Sequence, residues 1–134
     1  MTSPAKSTII AKVNDRLMVR DIDYIRELLL EIEQHEDPLY MHVLTGSSSK
    51  QDRIKYFHLK LLSDVGMLEE TGSRGGVFRM TNYGYDFVET IRHEDMWNEI
   101  TSAASDAGGV NLGILAEVSK ELIAKELRIR LGIG

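Results

Sequence analysis

The sequence predicts a mainly α protein with a small β-hairpin, an α+β fold within 134 residues. Three observations predict it. Apolar residues recur at helical spacing in several separate stretches, while two short apolar segments flank the connector Gly72-Ser73-Arg74-Gly75-Gly76, as in a hairpin. The hydrophobic fraction of 43% and charged fraction of 28% are those of a folded globular chain.

The elements follow in order. Residues 1–18 form an N-terminal extension in which Ile9, Val13 and Leu17, four apart, suggest an added amphipathic helix. Asp21 to Glu33 reads as the first strong helix, with Ile22, Ile25, Leu28, Leu29 and Ile32 on one stripe and Asp21 and Asp23 at the positive end of its dipole. Pro38 has no amide hydrogen and biases Asp37 away from helix, so the helical region stops there. Met41 to Thr45 is expected as a short strand. The serines at 47–49 can cap a second helix over Lys50–Val65, which Gly66 ends. Its expected inner face is Ile54, Phe57, Leu61, Leu62 and Val65, with His58 between them, and its polar face carries Arg53, Tyr56, Lys60 and Ser63, flanked by Lys55 and Leu59.

After the hairpin, with a mobile tip expected from its glycines, Thr81 caps a third helix whose inner face is Tyr83, Phe87, Val88 and Ile91. A fourth places Met96, Trp97, Ile100 and Ala104 inward and stops at Gly108-Gly109. The last is long, with Arg128 and Arg130 near its negative end and an apolar face broad enough to touch its own domain and something besides. The expected organisation is therefore an extension over 1–18, a core over 19–92 and a C-terminal helical extension over 93–134, packed on the core or forming a dimer.

Helix, short strand, capped helix and glycine-tipped hairpin together outline a winged helix-turn-helix-like core with additional C-terminal helices. One departure stands out: between Thr45 and Lys50 there is room only for a turn, so the short helix that normally precedes the recognition helix is absent, lies in HEDPLYM, or forms the first turns of Lys50–Val65.

The segments VRDIDYIRELLLEIE (19–33), YFHLKLLSDVGMLEE (56–70) and RMTNYGYDFVETIRHEDMWNEI (79–100), with the final lysine-bearing helix, resemble a family of small bacterial and phage proteins known only as a domain of unknown function. The resemblance spans about Val19 to Leu131. Its most specific parts are HLKLL-x3-G-x-L, at His58 to Leu68, and MT-x2-G-x-DF with a following IR and W, at Met80 to Trp97. It implies a winged-helix-like core often encoded in prophages and mobile elements, and no established reaction or ligand.

Composition narrows the function. With no cysteine there is no disulfide framework, thiol nucleophile, iron–sulfur cluster or thiolate zinc site, and a reducing, cytoplasmic home is expected. No apolar run approaches the length of a spanning helix, and the start lacks the apolar core of a secretory signal. His35, His42, His58 and His93 have no ligand spacing, so no metal is expected, and His58 is expected as a core or boundary histidine with its hydrogen bonds met. Gly72–Gly76 lacks the Lys-Ser/Thr of a phosphate loop and no G-x-S-x-G occurs, so neither cofactor nor catalysis is expected.

The net charge of −5 is unevenly spread. Residues 21–46 carry one basic and seven acidic side chains, 82–107 one and six, whereas 47–66 carry four and two. Generalised coating of nucleic acid is excluded, and any such contact must be local. Candidate DNA-binding residues are Lys50, Gln51, Arg53, Lys55, Tyr56 and Lys60 on the second helix, with Arg74 and Arg79 on the hairpin. Arginine and glutamine can contact guanine and adenine edges, while lysines and tyrosine position a helix on phosphates. The expected function is a non-enzymatic transcriptional regulator of prophage or mobile-element type that binds double-stranded DNA as a homodimer through its terminal helices. The alternative is an acidic interaction module for a protein partner, favoured by the two acidic blocks.

Overall fold

Asp21 starts the first helix: its backbone is extended, and its Oδ1 accepts the amide of Tyr24 at 3.1 Å. In the computed structural model, which describes residues 18–133, α1 (Ile22–Glu33) follows, then β1 (Leu39–Met41), α2 (Lys50–Asp64), β2 (Leu68–Thr71), β3 (Val77–Met80), α3 (Asn82–Ile91), α4 (Glu94–Asp106) and α5 (Leu112–Leu131). The fold is mainly helical with one three-stranded antiparallel sheet, the α+β class expected. The expected helix through Ile9, Val13 and Leu17 lies outside the described residues. Among those described, no helix is long and apolar enough to cross a membrane.

The chain divides into two compact units, one reaching Tyr85 and the other starting at Asp86. In the first, Ile25, Leu28, Leu29 and Ile32 of α1 are buried, as their spacing demands. β1 begins two residues earlier than expected, directly after Pro38, because Asp37 Oδ1 takes the Leu39 amide at 2.9 Å and frees the chain to pair with β3. Beyond Met41 the segment leaves the sheet, and the Thr45 amide donates to Ser48 Oγ at 2.7 Å to close a turn. No separate helix forms between β1 and α2; α2 runs unbroken from Lys50.

Ser49 and Asp52 make a capping box on α2: the Asp52 amide donates to Ser49 Oγ at 3.1 Å and the Ser49 amide to Asp52 Oδ2 at 3.0 Å. These bonds from Ser49 hold the Asp52 carboxyl below its ordinary range. The buried face of α2 is Ile54, His58, Leu59 and Leu62, turned toward Leu59 relative to the face read from spacing. Phe57 and Leu61 are only half-buried and Val65 is exposed. The cause is that α2 packs on both α1 and the sheet, so one narrow stripe cannot serve both neighbours.

The sheet order is β1-β3-β2, and Tyr40 of β1 and Glu70 of β2 both sit opposite Phe78 of β3. With side chains alternating along each strand, Tyr40, Phe78 and Glu70 share the face toward the core, and Leu39, Arg79 and Glu69 the other.

Both sequence motifs have structural explanations. Gly66 takes φ +83 to end the α2 region and Leu68 is buried two residues on. Thr81 Oγ1 donates to Gly66 O at 2.6 Å and accepts the Gly84 amide at 3.1 Å, capping α3 while fastening it to the end of α2. A Cβ on Gly84 would stand 2.2 Å from the carbonyl oxygen of Met67, so only glycine permits that approach.

In the second unit Phe87, Val88 and Ile91 are buried, and α4 packs on α5 through Trp97, Ile100 and Ala104 on one side and Leu112, Leu115, Ala116 and Ser119 on the other. Met96 is half-buried. Asn111 caps α5 by accepting the Ile114 amide at 3.0 Å.

Candidate nucleic-acid interface

His58 is the buried polar residue on which α2 is seated. Its Nδ1–H donates to Ile54 O at 2.8 Å and its Nε2 accepts the Asp21 amide at 3.0 Å, which fixes the neutral tautomer and anchors the start of α1. The core histidine with met hydrogen bonds is thus in place. Burial holds its pKa below the ordinary 6.5, outweighing the opposing bond to Ile54. Tyr24 stands edge-on to it with ring centroids 4.9 Å apart, and burial pushes the Tyr24 phenol up to about 12.

Of the eight candidate DNA-binding residues, Lys50, Gln51 and Arg53 are exposed on the first turn of α2, and Arg74 is exposed at the hairpin apex. Lys50, Arg53 and Arg74 carry no ion pair among the described residues.

The others are held by the fold. Lys55 Nζ donates to Glu31 Oε2 at 2.9 Å and lies 5.0 Å from the centroid of the Tyr40 ring, whose hydroxyl donates to the same Glu31 oxygen. Burial opposes the charge on Lys55, yet the bonds with Tyr40 and Glu31 outweigh it and raise its pKa. Tyr56 and Lys60 point at the hairpin: the Tyr56 hydroxyl donates to Glu70 Oε2 at 3.2 Å and Lys60 Nζ to Glu70 Oε1 at 2.5 Å. Arg79 is on the sheet face away from α2, where its Nε meets Glu69 Oε1 at 2.8 Å across the strands. The fold therefore does not bring Arg79 together with the α2 residues.

Two residues that sequence spacing gave no reason to select organise the surface. Glu70, only 14% exposed, accepts from Lys60, from Tyr56 and from the Gly76 amide at 2.7 Å, so one carboxylate ties α2 to the hairpin loop. The bond from Lys60 is the main reason its pKa lies below the ordinary range. The tip expected to be mobile is fastened at its base. Gly75 and Gly76, at φ +74 and +80, let the loop close over this carboxylate; a Cβ on Gly75 would lie 2.7 Å from Glu70 Oε2.

His42 is the second. Its amide donates to Gly76 O at 2.8 Å and its ring Nε2–H to Asp52 O at 2.8 Å, joining the hairpin loop to the first turn of α2. Arg53 follows Asp52 in the chain and Arg74 precedes Gly76 by two residues, so each arginine is within two residues of a hydrogen-bond partner of His42. Neither role could have been found from composition or period, because both depend on the register of β3 against two different strands.

This arrangement can attract an anion. The positive end of the α2 dipole, with Lys50 and Arg53 on its first turn, is joined through His42 to the glycine loop that carries Arg74, while among the described residues no group of three or more His, Asp or Glu could hold a metal.

The family model described as "Hypothetical protein (DUF2513)" matches residues 19–111. A relative from Haemophilus influenzae, described as an uncharacterized protein, is 23% identical over 117 residues, covering 82% of this chain and 99% of its own. No solved structure matches.

Proposed function

This chain belongs to the DUF2513 family, and from that premise we propose that it is a non-enzymatic DNA-binding protein of winged-helix type, a transcriptional regulator of prophage or mobile-element kind working in the cytoplasm. The observation that carries the proposal is the double hydrogen bond of His42, which sets the first turn of α2 beside the hairpin loop. In helix-turn-helix proteins the N-terminal residues of the recognition helix contact base edges. Lys50, Gln51 and Arg53 occupy that position here, and they are the members of the α2 set that the fold leaves unspent.

Arg53 and Gln51 have the donor patterns for guanine and adenine edges, Lys50 suits a phosphate, and Arg74 extends the contact from the loop. Lys55, Tyr56 and Lys60 then act indirectly, by holding α2 against α1 and the hairpin. With no separate helix between β1 and α2, docking rests on α2 and the loop.

The test is fluorescence anisotropy with a mixed-sequence duplex at low salt. Binding that weakens about tenfold or more in Arg53→Ala with Arg74→Ala supports the proposal. No binding by the wild-type chain, or none lost in the variant, overturns it.

One observation favours the acidic protein-interaction module instead: Lys55, Lys60 and Arg79 are paired with Glu31, Glu70 and Glu69, which neutralises half of the candidate cations. A wild-type chain that ignores duplex DNA at low salt decides for it.

A further inference from the structure

The distal half of α5 is only thinly covered, with Leu122 and Ala124 half-buried and none of its residues fully so. Leu112, Leu115, Ala116 and Ser119 are buried, but from Lys120 onward no residue of the helix is. Ile123, Leu127 and Leu131, four apart and therefore on one stripe, are 40%, 52% and 68% exposed.

The helix is nonetheless written to its end. The Ile133 amide donates to Arg128 O at 3.0 Å and the Gly132 amide to Ile129 O at 3.2 Å, with Gly132 at φ +69: a Schellman stop. Arg128 and Arg130 suit the negative end of the dipole. A free helical segment of about a dozen residues is marginal in water unless an apolar face is covered.

The charges beside the stripe say what covers it. At about 100° per residue, Glu126 and Arg130 lie on one flank of Ile123–Leu127–Leu131 and Arg128 on the other. Glu126 and Arg130 already meet at 2.9 Å within the helix. In an antiparallel two-fold pairing, like flanks face each other, so Glu126 meets Arg130 of the second copy and the reverse contact repeats it. A parallel pairing would instead set Arg130 beside Arg128 of the second copy, like charge against like.

We propose that the distal half of α5 is a self-association surface, on which a second copy of this chain docks antiparallel about Leu127, with Ile123 opposite Leu131 of the second copy. The surface is independent of the DNA-binding proposal.

Light scattering and sedimentation equilibrium on the full chain test it. The wild-type chain is expected at twice its monomer mass at tens of micromolar, and Leu127→Asp at the monomer mass with unchanged helical circular dichroism. Glu126→Arg alone weakens the dimer about tenfold or more, and Glu126→Arg with Arg130→Glu restores it, an outcome that a folding defect would not produce. A monomeric wild-type chain, a Leu127→Asp chain that remains dimeric, or a double variant that is not restored overturns the proposal.

Discussion

The ring of His42 donates through Nε2 to the main-chain oxygen of Asp52 at 2.8 Å, so a residue just past β1 sets where the first turn of α2 lies. Its amide holds Gly76 of the hairpin loop at the same time. In His42→Ala the main-chain bond survives and the ring bond is lost. Duplex DNA binding should weaken by up to about tenfold, the scale of one net hydrogen bond, while unfolding free energy changes by less than about 1.5 kcal/mol. Unchanged affinity would show that the placement of α2 does not depend on this bond.

Glu70 is the matching restraint on the other side of α2. Glu70→Gln keeps the shape but removes the charge that Lys60 and the Gly76 amide meet, and should destabilise the protein by about 1–3 kcal/mol. Amide hydrogen exchange should quicken at Gly75 and Gly76 and stay unchanged in α4. Exchange that quickens equally everywhere would mean that Glu70 supports the whole fold and has no special hold on the loop.

Acid should weaken the first unit in two steps. The folded-state pKa of His58 lies below its ordinary 6.5, so the unfolded chain binds more protons there, and stability is complete above pH 6.5 and lost as pH falls through the folded value. Glu70 is likewise depressed below 4.5, and its contribution is lost as pH falls from 4.5. Urea unfolding from pH 7.5 to pH 3.5 should show both declines, with His58→Leu abolishing the first and Glu70→Gln reducing the second. A curve flat between 7.5 and 5 would contradict the neutral, doubly bonded His58.

The close approach of α3 gives the sharpest stability contrast. Gly84→Ala places a methyl 2.2 Å from Met67 O and should cost about 3 kcal/mol, an overpacking penalty with backbone as the obstacle. Gly46→Ala, with nothing within 4 Å, should fall within about 0.5 kcal/mol of wild type. Thermal melts of the two variants suffice.

Helix periods in the sequence located α1, α2, α4 and the buried part of α5 closely, and the caps at Ser49 and Thr81 were written in residue type, whereas Asp21, read as the first helical residue, is the cap of α1. The face of α2 was less legible. A helix wedged between α1 and a sheet buries Leu59, which spacing set beside the polar face, along with the expected His58, and the period of one helix cannot say how many neighbours it has. Within the candidate site, the exposure of Lys50, Gln51, Arg53 and Arg74 followed from polar position. That Lys55, Lys60 and Arg79 are engaged by Glu31, Glu70 and Glu69 did not, because those carboxylates reach them only through tertiary packing and strand register.

Salt dependence tests the central claim most directly. If Lys50, Arg53 and Arg74 each neutralise one phosphate, the logarithm of the binding constant for duplex DNA should fall with the logarithm of salt at a slope of about −2.7. Replacing all three by alanine should bring the slope near zero, whereas Lys125→Ala, in the other unit, should leave it unchanged. A triple variant that keeps the wild-type slope would contradict the account, because the charge that meets DNA would then lie elsewhere on the chain.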